Sequence, residues 1–204
     1  MKVLVGCECS QVVCKAFRVA GYEAYSCDVQ DCYGGCPEWH IKGDLFTVVD
    51  PSDFDLAILH PPCTFLSRIN NWRYRSGVPL STSLSSNLDS ARSFFFRCLS
   101  FPVPFLAVEN PIPHPLSRLP PYSFRLQPYE FGEPWSKCTC FWLRGLPCLL
   151  PTCFVVRHSC WTDSPGGYST VNGLCSKSRK RSETFAGVAA AMASQWGEFV
   201  RERI

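Results

Sequence analysis

Two short strings hold residues that could do covalent chemistry together. HPPCTFLS (60–67) places Cys63 after a proline pair, and VENP (108–111) contains Glu109. A cysteine just beyond a buried strand sits at a partly open sheet edge, where its thiolate can act as a nucleophile. The prolines stiffen the turn and fix the direction of the sulfur. An acid ending a neighbouring strand tends to be held neutral by desolvation, and so can donate a proton or a hydrogen bond. Side by side, the two could attack and polarise an electron-poor ring. The plainer alternatives are a structural thiol, the usual fate of one cysteine among fourteen, and a glutamate that only caps or pairs.

A second set suits a ligand rather than a reaction. The turn VGCECS brings Gly6, Cys7 and Glu8 to the end of the first apolar run, ahead of a helix whose N-terminal amides can face a polar group. The turn is not GxGxxG, so it supports a dinucleotide only weakly. Asp28 closes the next apolar run at the separation, about 20 residues, from which an acid commonly accepts hydrogen bonds from a ribose. Asp44, in a Gly-Asp turn, is an acceptor that could meet an adenine amino group. Each acid alone is more often a turn residue; in this order they suit an adenosyl ligand.

These residues need elements to hold them. KVLVGC (2–7) reads as a buried strand, and QVVCKAFRVAG as a helix capped by Ser10 and ended by Gly21. Strands follow at Glu23–Val29, around Ile41, and through FDLAILHPPC, a nearly continuous apolar run of the kind buried on both faces of a parallel sheet. Residues 64–83 read as a long loop, 84–99 as a helix and 104–111 as another buried strand. A Pro-rich connection covers 111–128. Further strands are expected at Gln127–Phe131 and Thr139–Leu143, a loop over 145–180 and an amphipathic helix over 184–202. The alternation predicts an α/β fold with a mostly parallel sheet, whose ligands bind beyond the carboxyl ends of the strands. Cys7, Glu8, Asp28, Cys63 and Glu109 all fall at such ends.

Length and composition fit one domain of 204 residues with 46% hydrophobic side chains. No apolar run approaches the roughly 20 residues of a membrane span, and the polar N-terminus reads as a first strand and not a secretory signal, so a soluble intracellular chain is expected. In that setting a disulfide framework is not expected. Cys32, Cys36 and His40, and separately Cys153, His158 and Cys160, have spacings that could hold a metal; neither repeats the tight CxxC pairs of structural zinc sites, and no metal is expected. The net charge of +3 hides an asymmetry: residues 1–55 carry nine acids against four Lys and Arg, residues 56–204 eight against sixteen. The second part has the bias of a surface that meets phosphate.

PPC with FLS just after it, followed by ENP, resembles motifs IV and VI of the DNA cytosine-5 methyltransferases. The turn at Gly6 with Asp28 and Asp44 resembles motifs I to III, the ordered match spanning 3–145, and the last helix resembles the closing motif that packs against the first strand. The small size and the strings CECSQVV and CPEWHIKGD resemble the compact enzymes of phages and iridoviruses, ranaviruses especially. The resemblance implies a Rossmann-like S-adenosylmethionine-dependent methyltransferase fold, S-adenosylmethionine at Gly6, Cys7, Glu8, Asp28, Asp44 and Pro61, and double-stranded DNA as partner of a monomeric enzyme, with CpG as the implied context. Cys63 would add to carbon 6 of a flipped cytosine while Glu109 meets its N3 edge. It also implies a viral protein, in a cytoplasmic factory or the host nucleus.

Candidate contacts to nucleic acid are Arg68, Arg73 and Arg75 after Cys63, Lys137, and the basic run with Arg179, Lys180 and Arg181. The chain departs from the family in three places, one being the first turn, with CECSQ where these enzymes usually place Phe and Gly residues. Only 145–183 is left for target recognition, and SKCTCFWLRG stands where motif VIII offers arginines, with Cys138 and Cys140 in their place. Lys137 could substitute there, though an ammonium is no bidentate guanidinium. The competing readings are a catalytically weak nucleic-acid-binding relative and an enzyme acting on RNA.

Overall fold

The computed structural model describes residues 1–68, 74, 80–157, 159–160 and 182–204. Its centre is a seven-stranded sheet of β1 (Lys2–Gly6), β2 (Glu23–Asp28), β3 (His40–Lys42), β4 (Leu56–Leu59), β5 (Phe105–Pro111), β6 (Phe124–Leu126) and β8 (Thr139–Arg144), in the order β3-β2-β1-β4-β5-β8-β6. Strands β1 to β5 pair in parallel, and β8 alone runs against its neighbours, between β5 and β6. This is the expected α/β, Rossmann-like, mostly parallel sheet. The chain reverses its winding between β1 and β4, and in open α/β sheets a ligand crevice forms at that point.

The apolar runs take the central strands because those strands are covered on both faces. Val3, Leu4 and Val5 of β1 and all four residues of β4 are fully buried. One layer of core packs β1 and β4 against helix α1 (Val12–Val19) and the C-terminal helix. The other packs the opposite face against α2 (Leu45–Val48) and α3 (Thr82–Leu99), with Phe95, Phe101 and Trp142 inside. Ser81 caps α3 by accepting from the Leu84 amide.

The C-terminal helix comes in three consecutive pieces: α4 (Ala186–Ala191), a π-helical turn (Met192–Trp196) and α5 (Gly197–Arg201). It lies on α1 and on the core beneath β1. Glycine is required there for close approach: a Cβ on Gly187 would lie 1.8 Å from the Phe131 carbonyl oxygen, and one on Gly197 2.3 Å from the Tyr22 ring. Trp196, fully buried, donates its indole N–H to the Pro147 carbonyl at 2.9 Å.

Two boundaries differ from expectation. The helix cap is Gln11, in left-handed backbone, and not Ser10. The strand expected at Gln127–Phe131 lies earlier, as β6; Pro128 instead opens a 3-10 turn (Pro128–Glu130), with Glu130 reaching back to the Gln127 amide at 2.6 Å. Proline has no N–H for a ladder but suits the first position of a helical turn, so turn chemistry outweighed the β-forming side chains. A short pair, β7 (Trp135–Ser136) with β9 (Ser159–Cys160), lies outside the main sheet. Among the described residues no helix is long and apolar enough to cross a membrane.

Candidate active site

The turn after β1 bends through two left-handed non-glycine residues, Cys7 (φ 58°) and Gln11 (φ 61°). Side chains with short polar groups adopt this backbone at some cost, and here local bonding holds it. Gln11, fully buried, donates to Ser26 Oγ at 3.3 Å and to the Cys36 carbonyl at 2.7 Å, and accepts from the Cys36 amide at 3.1 Å. Glu8 turns inward. Its Oε1 accepts from the Val13 amide at 2.7 Å and its Oε2 from the Cys14 amide at 3.2 Å. Burial raises the Glu8 carboxyl above its ordinary value, against the opposing pull of His60 and these amides. The helix N-terminus expected to face a ligand is thus met by the chain's own carboxyl group, a correction to where Glu8 was expected to point.

What opens at this end of the sheet lies further along. Asp28 ends β2, half-buried, and holds the Gln30 amide at 2.9 Å with Oδ1. Asp44 is exposed, caps α2 and holds the Phe46 amide at 2.8 Å with Oδ1. In each case Oδ1 makes the turn, while Oδ2 has no partner among the described residues. Cys7 lies in the field of both acids; burial first, then Cys98, Asp28, Cys27 and Asp44, push its thiol well above the ordinary range. Gly6 is buried, with the Leu59 and Leu45 side chains where a Cβ would go. The expected set Gly6, Cys7, Asp28 and Asp44 therefore gathers at the ends of β1 to β3.

At the ends of β4 and β5 the register Leu59↔Val108 puts His60 opposite Glu109. His60 Nδ1 lies 3.0 Å from Glu109 Oε2, with 12% and 16% of the two side chains exposed. The next residue, Pro61, is buried, and its carbonyl accepts from the Asn110 side-chain amide at 2.8 Å. Cys63 follows, half-buried, its carbonyl receiving the amides of Leu66 and Ser67 at 3.1 Å each. The segment then runs beside the residues after β5: Arg68 donates to the Ile112 carbonyl at 2.9 Å, and His114 to the Leu66 carbonyl at 2.7 Å. Leu66 has no exposed surface and anchors the turn. The strand ends bearing Cys63 and Glu109 are in this way tied to each other.

Lys137, between β7 and β8, closes the group. Its ammonium donates to the Glu183 carbonyl at 3.2 Å, and Glu109, Cys63 and Glu183 lie within its electrostatic reach. Burial draws the Lys137 ammonium below its ordinary range, and those three groups oppose the shift. Cys138 and Cys140 stand next along the chain; the Cys140 thiol donates to Cys138 and lowers it, and the same contact raises Cys140. Arg125 of β6 stands opposite Cys140 in register and acts on Cys138, so a guanidinium does reach this neighbourhood, from another strand.

Motif and spacing alone assign no role to His60, Asn110 or Arg125. His60 and Asn110 belong to the quoted strings, but their parts follow from a cross-strand register that the strings do not contain. Of the basic candidates Arg68 is exposed beside His114. Arg73, Arg75, Arg179, Lys180 and Arg181 lie outside the described residues. Among the described residues no three His, Cys, Asp or Glu side chains gather as a metal group. Both ring nitrogens of His40 are engaged, with Ser26 Oγ and the Gln30 carbonyl, each at 2.9 Å.

The fold and site together define a Rossmann-like α/β domain with two acids at the ends of β2 and β3 and a thiol, a glutamate and a lysine near the ends of β4, β5 and β7. No family model matches the sequence, and no curated protein matches it. Solved structures share part of its backbone course. One is an E. coli prophage-encoded chain described as a DNA modification methyltransferase, at 12% identity over 76% of this chain and 52% of that one, TM-score 0.47. Another is the Dnmt2 methyltransferase of S. pombe, at 15% identity over 70% and 48%, TM-score 0.40. A third is a mutant DNMT2 of Spodoptera frugiperda, at 16% identity over 77% and 57%, TM-score 0.42. The chain spans about half the length of each.

Proposed function

We propose that this protein methylates carbon 5 of cytosine in double-stranded DNA, with S-adenosylmethionine as methyl donor and Cys63 as nucleophile. The observation that carries the reading is that Cys63 and Glu109 stand on strand ends tied together by the Leu59↔Val108 register and the Asn110–Pro61 bond, with Lys137 within electrostatic reach of both. A thiol, a carboxyl group and a cation at one spot are what addition to a pyrimidine ring requires.

In this reading Cys63 Sγ adds to ring carbon 6. The carbon 5–carbon 6 π bond opens, and the electron pair is delocalised toward N3, where Glu109 holds the ring edge by a proton. Lys137 offsets the negative charge that builds as sulfur gives up its electrons. Carbon 5 would then take the methyl group, the sulfonium–methyl electron pair staying on the departing thioether. Loss of the carbon-5 proton to a base and expulsion of Cys63 restore the aromatic ring and the thiolate. Base flipping gives Cys63 its access to the ring, since a stacked cytosine hides carbon 6.

The residues at the ends of β1 to β3 fit the donor. The unengaged oxygens of Asp28 and Asp44 are acceptors suited to ribose hydroxyls and an adenine amino group. S-adenosylmethionine would supply an electrophilic methyl group there. Pro61 and Gly6 shape the floor between the two halves, and Glu8 holds the turn that carries Cys7.

The basic second part of the sequence favours a nucleic acid substrate, with Arg68 among its contacts. The test is transfer of labelled methyl from S-adenosylmethionine to unmethylated duplex DNA, with duplex and single-stranded RNA in parallel. Label on carbon 5 of DNA cytosine, lost in Cys63→Ser, is the expected result. Label confined to RNA would move the substrate, and DNA retardation without label would favour a binding protein.

A further inference from the structure

The His60 ring is 12% exposed, and the pairing just described uses only one of its nitrogens. Its backbone is fixed twice over. The His60 amide donates to the Gly6 carbonyl at 2.9 Å, and the proline that follows restricts His60 to extended backbone. The ring is therefore aimed by the sheet and not by a flexible loop. On the opposite strand Glu109 has three rotatable side-chain bonds, and its carboxyl group would otherwise be free to swing among rotamers.

The other ring nitrogen, Nε2, is buried and has no hydrogen-bond partner among the described residues. Leaving a buried polar atom open is costly, so such atoms are rare and call for a reason. The acids that feel the ring come from both sides: Glu109 from β5, and Glu8 from the turn after β1. Lys137 is the cation facing the same carboxyl group from β8's side of the sheet. An imidazole between two acids can hold a proton at either nitrogen, and the one on Nδ1 fixes Glu109 Oε2.

Resting on the methyltransferase reading above, we propose that His60 is a positioning residue. Through Nδ1 it holds the Glu109 carboxyl group in the one rotamer that meets the pyrimidine edge. It touches neither the base nor the donor. Its contribution is geometric, a fixed carboxyl direction in a reaction for which a shift of about 1 Å can cost roughly 10²-fold in rate.

The test compares three variants of the full chain. His60→Asn places an amide group where Nδ1 stands, whereas His60→Gln places one where Nε2 stands, and His60→Ala removes both. Turnover is measured with labelled S-adenosylmethionine and duplex DNA, both saturating. Donor affinity is measured by calorimetry and folding by thermal melting. The expected result is a loss of roughly 10- to 100-fold in turnover for His60→Ala and His60→Gln. His60→Asn recovers most of the turnover, and donor affinity is unchanged throughout. Equal losses for Asn and Gln, or turnover by the Ala variant equal to that of the wild type, would overturn the proposal. Should His60→Ala fail to fold, the Asn and Gln variants carry the decision. A wild type that transfers no methyl would instead overturn the reaction on which the proposal rests.

Discussion

On the β1 side of the sheet Glu8, Gln11 and His40 close their bonds within the chain, whereas at the ends of β4 and β5 two buried polar atoms stay open. Glu8 gives both carboxyl oxygens to helix amides, Gln11 engages both of its side-chain polar atoms, and His40 uses both ring nitrogens. His60 Nε2 and the Asn110 side-chain oxygen have no partner among the described residues. The first region uses polarity to fix a turn that has no glycine where left-handed backbone is needed. The second keeps polarity unmet beside a thiol. Unmet bonding of this kind beside Glu109, Cys63 and Lys137 sets the second region apart, since buried polar atoms are normally paired. The same chemical groups thus close a turn in one region and stand unpaired in the other.

That contrast predicts which property each substitution will change. The largest effect falls on the open side. Glu109→Gln should lower methyl transfer by about 10²–10⁴-fold, the range of a lost general acid, with melting temperature and donor affinity unchanged. Equal loss of transfer and donor affinity would remove Glu109 from its assigned place. Asp28→Asn keeps an oxygen for the Gln30 amide but removes the charge at the crevice. Calorimetry should show the donor bound about 10-fold more weakly, ~1.4 kcal/mol, with stability unchanged. Unchanged affinity would place the ribose elsewhere.

The smallest effect falls on the closed side and on stability. Glu8→Ala leaves two amides of α1 without their acceptor and should cost about 1 kcal/mol in urea denaturation. The pH dependence has a definite sign. Burial raises the folded Glu8 carboxyl above its ordinary value of 4.5. Below that value it is protonated in both states, and the folded state keeps the full benefit. As pH rises past 4.5 the unfolded chain ionises first, and stability falls until the folded carboxyl also ionises. Glu8→Gln should remove this decline. A decline of equal size in Glu8→Gln would assign it to another group.

Much of the sheet was legible because buried parallel strands leave continuous apolar runs, as in LAIL and FLAVENP, and because turn residues stop them. Cys63 and Glu109 were legible for the same reason: each stands just past such a run. Strand β6 was not, since three residues inside a Pro-rich stretch carry too little periodicity. The inward turn of Glu8 was also hidden, because a turn that could cradle a ligand and one that caps its own helix use the same residue types. His60 and Arg125 became visible only through register, which pairs residues far apart in the chain.

The buried cysteines sharpen the assignment of the nucleophile. Burial pushes Cys14 and Cys98 each up to about 12 and Cys27 to about 11, so these thiols stay protonated and inert at neutral pH. Cys63 instead sits half-buried after the turn, with a cation in reach.

The most direct test is a covalent trap. Duplex DNA carrying 5-fluorocytosine is incubated with the protein and S-adenosylmethionine, and the product is read by intact mass and peptide mapping. Fluorine at carbon 5 blocks the final elimination, so the sulfur–carbon 6 bond persists. The expected product is an adduct of one protein, one DNA strand and one methyl group, mapped to Cys63 and absent in Cys63→Ser. An adduct at another cysteine, or methylated product formed with no adduct, would contradict it.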